Sequence, residues 1–251
     1  SIDRAPRSVA ELNNGIIEIT VTDKGKNVHA VIQRDYGTDS GKRKYKTISS
    51  KDYDDYGIIV QNNDDSKSEN VTIQIKASDY FKAFKNHYND KNYYSTYVKP
   101  DSNEKTMRIR IVATDKGGLK SYSVIKFKML GDNKVEYLVD TPQISYGTLT
   151  TDSKNLTMQM NAGKGTTSEL KSQFETSGKM GFVSITDLTA NKDLFTRMDG
   201  KDLTTTGSLN ITKAKLSDGM WKLKIYVTNG SASRVEEVKI KEPVIQGVSH
   251  H

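Results

Sequence analysis

The sequence predicts an all-β protein built from two antiparallel β-sandwiches in tandem, the first with a short helical insert rich in aromatic residues. Three observations carry this prediction. Apolar and polar residues alternate with a period of two along most of the chain, which is typical of strands with one buried side. The alternating runs are short and are separated by Gly, Asn and Asp turn residues. An acidic residue shortly before a proline recurs where such runs end, which indicates module boundaries.

These acidic and proline segments divide the chain. They lie at Asp3–Pro6, Asp140–Pro142 and Glu242–Pro243. Proline fixes φ and biases the residue before it toward extended backbone, so each segment suits a stiff link into the first strand of a new module. The final His250-His251 pair is typical of an expression tag, and we expect the chain to be a segment of a longer array. The predicted divisions are residues 1–134, residues 135–243, and residues 244–251 as the start of a further module plus the tag remnant.

Alternation places the strands of the first module. Ile17 to Thr22 and Val28 to Ile32 are predicted to form a hairpin around the turn Asp23–Lys26. Val71 to Lys76 is a further strand. The module is expected to end in a second hairpin, which joins residues 107–114 and 121–129 through Asp115–Gly118.

The second module repeats this style. Strands are predicted at Leu156–Met160, at Leu209–Ile211, and in a final hairpin that joins residues 220–227 and 234–241 through Asn229-Gly230. Trp221 is the one tryptophan, and it shares a strand face with Leu223, Ile225 and Val227. We therefore expect Trp221 to be buried.

Two segments break the alternation and predict helices. Ser78 or Asp79 can cap a helix that extends to Tyr88 and places its aromatic residues at helical spacing. Thr166 to Phe174 is the second candidate, because Leu170 and Phe174 lie four residues apart.

The hairpins and the linker carry a resemblance to a family. Val112–Gly118, Leu216–Gly230 and the Asp140–Ile144 start are similar to the final hairpin and the opening of bacterial immunoglobulin-like repeats. The resemblance implies two immunoglobulin-like antiparallel β-sandwiches in tandem, in a secreted or cell-surface bacterial protein of the adhesin or surface-layer type. It specifies architecture far better than activity.

Composition excludes several classes of protein. No run of about 18 apolar residues is present, so we expect no membrane insertion of this segment. The net charge of +7 is spread over strands and lacks a basic helix or an aromatic RNA-binding signature, so nucleic acid is not an expected partner. Cysteine is absent, which excludes disulfides and thiolate metal sites.

Clustered carboxylates make calcium the one candidate cofactor, because hard cations need several converging oxygen ligands. None of them has EF-hand spacing, and solvated loop carboxylates are the simpler interpretation. The candidate ligands are Asp52, Asp54, Asp55, Asp64 and Asp65.

The aromatic insert is the candidate ligand-binding segment. Aromatic faces stack on sugars or pack against a protein partner. The alternative is that the insert covers an open end of the first sandwich. The candidate residues are Tyr80, Tyr88, Tyr93, Tyr94 and Tyr97.

No catalytic residue is predicted. Ser168 and Lys171 spell a Ser-x-x-Lys without its companion motifs, and His29 and His87 are interpreted as surface residues. We expect a non-catalytic structural or adhesive segment that acts as a spacer and a binding surface. Its expected location is extracellular, at the bacterial cell surface or cell wall, and its expected partner is a cell-wall polymer, a glycan, or a host or neighbouring surface protein. The alternatives are a carbohydrate-binding module that uses Tyr80–Tyr97, and accessory domains of a secreted hydrolase.

Overall fold

A computed structural model gives the architecture. It describes residues 2–40, 42–86, 106–131, 134–139, 141, 143–146, 155–163, 171–178, 181–190, 196–198, 202–210, 220–228 and 232–241. The chain divides into two compact units. The N-terminal unit is Pro6–Leu138, and the C-terminal unit combines Ser1–Ala5 with Val139–His251.

The first half of the chain is mostly β-strand with one helix among its described residues. In chain order, the elements are β1 (Ile2–Arg4), β2 (Arg7–Asn13), β3 (Ile16–Thr22), β4 (His29–Asp39), β5 (Lys42–Thr47), a 3-10 helical turn (Ser50–Asp52), β6 (Ile58–Gln61), β7 (Asn70–Lys76), α1 (Ala77–Asn86), β8 (Thr106–Thr114), β9 (Lys120–Gly131) and β10 (Lys134–Val139).

Two antiparallel sheets enclose the core of the N-terminal unit. One has the strand order β2-β3-β7-β6, and the other has the order β5-β4-β8-β9. Alternate residues of both sheets turn inward and are almost fully buried, among them Ile17, Ile73, Ile32 and Ile109. Burying one such side chain stabilises the fold by about 1.5–3 kcal/mol, so the alternation read from the sequence is also the main source of stability.

The prediction of a first hairpin is wrong. β3 pairs with β2 and β7, whereas β4 pairs with β5 and β8, so the two strands lie in different sheets. Asp23–Lys26 does form a turn, in which Lys26 N–H donates to Asp23 O at 3.1 Å. The chain leaves this turn toward the other sheet, and Asn27 N–H donates to Asp65 O at 3.2 Å. Alternation shows which residues point inward, but two strands that face each other across a core show the same pattern as two strands side by side.

The hairpin of β8 and β9 is confirmed. Thr114 pairs with Lys120, and the ladder continues to Thr106 and Lys128. Asp115 closes the turn, because its carbonyl accepts from Gly118 N–H at 3.1 Å and its carboxylate accepts from Leu119 N–H at 2.9 Å.

The predicted helix at Ser78–Tyr88 is confirmed as α1, although Tyr88 lies outside the described residues. Its start packs tightly on the loop before β6. Gly57 there has φ +66°, and an added Cβ would lie 2.7 Å from Asp79 Cβ. A side chain at Gly57 would therefore both strain the backbone and displace the helix.

The C-terminal unit has a matching set of strands. Its described elements continue as β11 (Gln143–Tyr146), β12 (Asn155–Gly163), β13 (Lys171–Gly178), β14 (Gly181–Ala190), β15 (Thr196–Met198), β16 (Asp202–Asn210), β17 (Met220–Thr228) and β18 (Ser233–Lys241). β11-β12-β16-β15 form one antiparallel sheet, while β14-β13-β17-β18 follow each other in a second.

For this unit, the predicted final hairpin is confirmed, and the predicted second helix is wrong. The final hairpin is confirmed, since β17 pairs with β18 from Met220 and Lys241 to Thr228 and Ser233. A helix reaching Phe174 is wrong, because Lys171–Gly178 is β13 and Phe174 pairs with Ile225. Two apolar residues four positions apart are too few to define a helical period. The segment instead forms a strand that pairs with β17. The burial of Trp221 lies outside the described side chains and stays a prediction.

The first strand of the chain pairs with the last. β1 runs antiparallel to β18, with Ile2 opposite Ile240 and Arg4 opposite Val238. The division predicted at residues 1–134 placed these residues in the first module, whereas the structure groups Ser1–Ala5 with the C-terminal unit.

Candidate functional site

The outward side of the β5-β4-β8-β9 sheet carries a row of cationic and aromatic side chains, here called the basic face. The strand register brings residues from distant parts of the chain together, because Gln33 lies opposite Arg110 and Asp35 lies opposite Tyr45. Most of the inward neighbours on the same strands are buried apolar residues of the core. The basic face comprises Gln33, Asp35, Arg43, Tyr45, Arg108, Arg110, Tyr122, Lys126 and Lys128.

Arg110 is held between two aromatic rings. Its Cζ lies 4.4 Å from the ring centroid of Tyr45 and 5.4 Å from that of Tyr122. Its Nε donates a hydrogen bond to Gln33 Oε1 at 2.7 Å. Burial lowers the pKa of Arg110, but a guanidinium remains charged at neutral pH. The sheet therefore presents a fixed positive charge, and each cation–π contact contributes about 0.5–1 kcal/mol to holding it.

Asp35 orients two further guanidinium groups. Its Oδ2 accepts from Arg43 Nη1 at 2.7 Å and lies 3.9 Å from Arg108 Nη1. Its Oδ1 accepts from the backbone N–H of Gly37 at 2.8 Å. Asp35 is buried, whereas Arg43 and Arg108 are partly exposed. One carboxylate thus positions two cations, and the surface keeps an excess of positive charge.

Tyr45 remains uncharged on this face. Burial raises its pKa to about 12, and the charge of Asp35 acts in the same direction. Its hydroxyl is therefore a neutral hydrogen-bonding group at physiological pH, and it does not cancel the charge of Arg110.

The basic face has the chemistry of an anion-binding surface. Guanidinium groups recognise phosphate, sulfate and carboxylate through paired hydrogen bonds. Partly exposed tyrosine rings add apolar area and a polar hydroxyl, a combination that is enriched at binding surfaces.

The described part of the predicted aromatic site is buried in the core. Tyr80 is only 1% exposed, and its ring centroid lies 5.4 Å from that of Tyr56 and 6.1 Å from that of Phe127. Phe84 is also buried, against the guanidinium of Arg34. These α1 residues therefore pack in the core, as the alternative interpretation of the insert expected, and the ring of Tyr80 is not available to a ligand. The other predicted residues, Tyr88, Tyr93, Tyr94 and Tyr97, lie outside the described part of the chain.

The predicted calcium ligands are not brought together. Asp52 lies in the 3-10 turn, and Asp54 and Asp55 are exposed in the loop that follows. Asp64 contacts His29 Nδ1 at 3.0 Å, and Asp65 Oδ1 accepts from Lys67 N–H at 2.9 Å in a local turn. Within the described ranges, no group of three His, Asp or Glu side chains is arranged to hold a metal ion.

Sequence reasoning missed the basic face. Arg108 and Arg110 alternate with apolar residues in the predicted strand at 107–114, but Gln33, which accepts a hydrogen bond from Arg110, is 77 residues away. The available signal was the occurrence of arginine and tyrosine at polar positions of strands that had already been predicted. Identifying their common surface required the strand order.

No protein-family model matches the chain, and no curated protein matches it. In the described residues, no helix is long and apolar enough to cross a membrane.

Proposed function

We propose that this chain is a non-catalytic adhesive and spacer segment of a bacterial cell-surface protein, made of two immunoglobulin-like domains in series. Strand order supports the domain type. In the N-terminal unit, β2-β3-β7-β6 and β9-β8-β4-β5 correspond to the ABED and GFC sheets of an immunoglobulin domain, with β5 as an additional C′ strand.

The C-terminal unit supports the tandem arrangement independently. β11-β12-β16-β15 and β18-β17-β13-β14 repeat the same order strand for strand. β12 also contacts β17, and β14 contacts β16, so strands of the two sets lie against each other. Two units with one topology are what a spacer array requires, because each repeat can bury its own core.

The binding role is assigned to the basic face. The observation that carries it is Arg110, which is fixed between Tyr45 and Tyr122 on an outward surface. Fixing the guanidinium costs conformational entropy during folding. Less entropy is then lost on binding, because the cation is already ordered before a ligand arrives. The ligand class that fits is an anionic cell-wall polymer with repeated phosphate or carboxylate groups, which would place the chain outside the cell.

The test is a binding titration with a poly(glycerol phosphate) chain and, in parallel, with uncharged dextran. Arg110→Gln removes the central charge and should weaken binding to the phosphate polymer at least tenfold. Arg7→Gln is the matched control, because Arg7 is exposed on β2 in the other sheet. Raising the salt concentration should weaken the wild-type interaction further.

Equal loss of affinity in both variants would assign the binding to general surface charge and remove the basic face as the site. Dextran binding as tight as polymer binding would replace the anionic ligand by a neutral sugar.

A further inference from the structure

Strand β1 completes a sheet of the C-terminal unit, although the chain continues from it into the other unit. β1 pairs with residues 238–240 of β18, and Ala5 N–H extends the ladder by donating to Glu237 O at 3.0 Å. Ala5 is followed directly by Pro6, the first residue of the N-terminal unit. The C-terminal unit thus includes a strand from the opposite end of the chain.

A buried ion pair makes this acceptance specific. Arg4 Nε donates to Glu236 Oε1 at 2.8 Å, and Arg4 Nη2 donates to Glu236 Oε2 at 3.2 Å. The side chain of Glu236 is 0% exposed, whereas that of Arg4 is 33% exposed. A carboxylate buried so completely is costly unless a cation compensates it. The edge of β18 therefore favours a strand that carries arginine at this position.

The second proline link shows the same kind of pairing. β10 precedes Pro142, as β1 precedes Pro6, and β10 pairs with β9. In both cases the strand that precedes the proline link pairs with the second strand of a hairpin, which is β9 after β8 for β10 and β18 after β17 for β1.

We propose that the β18 edge is a strand-acceptor site for the Ile2–Ala5 segment of a second copy of this chain, so that copies join head to tail. The contacts are identical whether the strand comes from the same chain or from another one. Strand exchange of this kind is a low-cost route to assembly, because it creates no new type of interface. The fraction of chains joined in this way then depends on the protein concentration relative to the effective concentration of the chain's own β1.

Charge reversal distinguishes the two arrangements. Arg4→Glu and Glu236→Arg each place like charges at the pair within one chain. When the two full-length variants are mixed, the β1 of each matches the β18 of the other. The mixture should form a mixed dimer or a longer chain, seen by native mass spectrometry with one variant isotope-labelled. Each variant alone should stay monomeric, and the wild-type oligomer fraction should rise with concentration. Folded variants that form no mixed species would overturn the proposal.

A second experiment covers the case in which Glu236→Arg does not fold. The full-length Arg4→Glu variant keeps the acceptor carboxylate but loses the pairing of its own strand. A labelled peptide of residues 1–7 should bind this variant, and the same peptide with R4E should bind at least tenfold more weakly. The wild-type chain should bind the peptide more weakly than the variant does, because its own β1 competes. Absence of peptide binding, or equal binding of both peptides, would overturn the proposal as well.

Discussion

The second strands of the β8-β9 and β17-β18 hairpins, β9 and β18, occupy the same place in the same strand order but differ in what they bury. β9 directs Ser121, Ser123, Ile125 and Phe127 inward, and all four are buried. β18 buries Arg234, Glu236 and Val238 at alternate positions. Glu236 lies opposite Ile225 of β17, whereas Ile125 lies opposite Ile109 of β8. Equal topology therefore does not imply an equal source of stability.

The difference shows what each strand needs from the rest of the chain. β9 is stabilised by removal of apolar surface from water, which requires only a well-packed neighbour. β18 carries a buried carboxylate, and its stability depends on the arginine that β1 supplies. The four predictions below test this contrast.

The largest effect is expected from Phe127→Ala. Phe127 is 0% exposed, so truncation removes its transfer free energy and leaves a cavity, at a cost of about 4 kcal/mol. Chemical unfolding followed by far-ultraviolet circular dichroism measures the loss. The fluorescence of Trp221 reports the C-terminal unit and should change little. Ile59→Ala is the control, because Ile59 is 57% exposed and its loss should cost less than about 0.5 kcal/mol. A comparable loss in both variants would contradict the core assignment of β9.

Arg4→Ala is expected to destabilise the C-terminal unit by about 3 kcal/mol, because it leaves Glu236 buried without its cation. Urea unfolding followed by Trp221 fluorescence measures the effect. The double variant Arg4→Ala, Glu236→Gln should recover part of the loss, since the charge that needed a partner is gone. If the double variant is less stable than Arg4→Ala alone, the carboxylate is not the origin of the cost.

The pH dependence tests the outward side of the sheet that contains β9. Burial raises the pKa of Tyr45 to about 12 from an ordinary value of 10.0. The unfolded chain then loses this proton first, so the contribution is complete below pH 10 and is lost as the pH rises from 10 toward 12. A pKa difference of this size corresponds to about 2.7 kcal/mol. Tyr45→Phe should reduce the fall in unfolding free energy over this range. An unchanged fall would show that Tyr45 ionises as readily in the folded protein as in the unfolded chain.

Two serines of β9 provide the smallest contrast. Ser121 Oγ donates to Pro6 O at 2.6 Å, so Ser121→Ala should lower stability by about 1 kcal/mol. Ser123 Oγ is buried and has no hydrogen-bond partner within the described residues, so Ser123→Ala should raise stability by up to about 1 kcal/mol. Thermal melts of both variants give the comparison. Shifts of the same sign would show that the hydroxyl contacts do not decide the outcome.

The local sequence pattern predicted most of the strands of the N-terminal unit. It failed to predict strand pairing and side-chain contacts, because these depend on residues far away in the sequence. The period of two identified β3, β7, β8 and β9 because each strand has one buried side. The same period contains a clue to the pair at Glu236, because Glu236 lies two residues from the apolar Val238 and therefore falls on the same side of the strand. A charge on the buried side of a strand indicates a partner, but Arg4 is 232 residues away and no local rule identifies it. The cation–π arrangement of Arg110 depends on register in the same way.

The crossing from β3 to β4 also has a kinetic consequence. Because these neighbours in sequence do not pair, β3 must find β7, where Thr22 meets Asn70, and β4 must find β8, where His29 meets Thr114. Each of these ladders closes a long loop before any hydrogen bond offsets the lost chain entropy. Folding should therefore be slow for a unit of this size, on the order of milliseconds to seconds. During that interval, the edges of β3 and β4 are exposed to pairing with other chains.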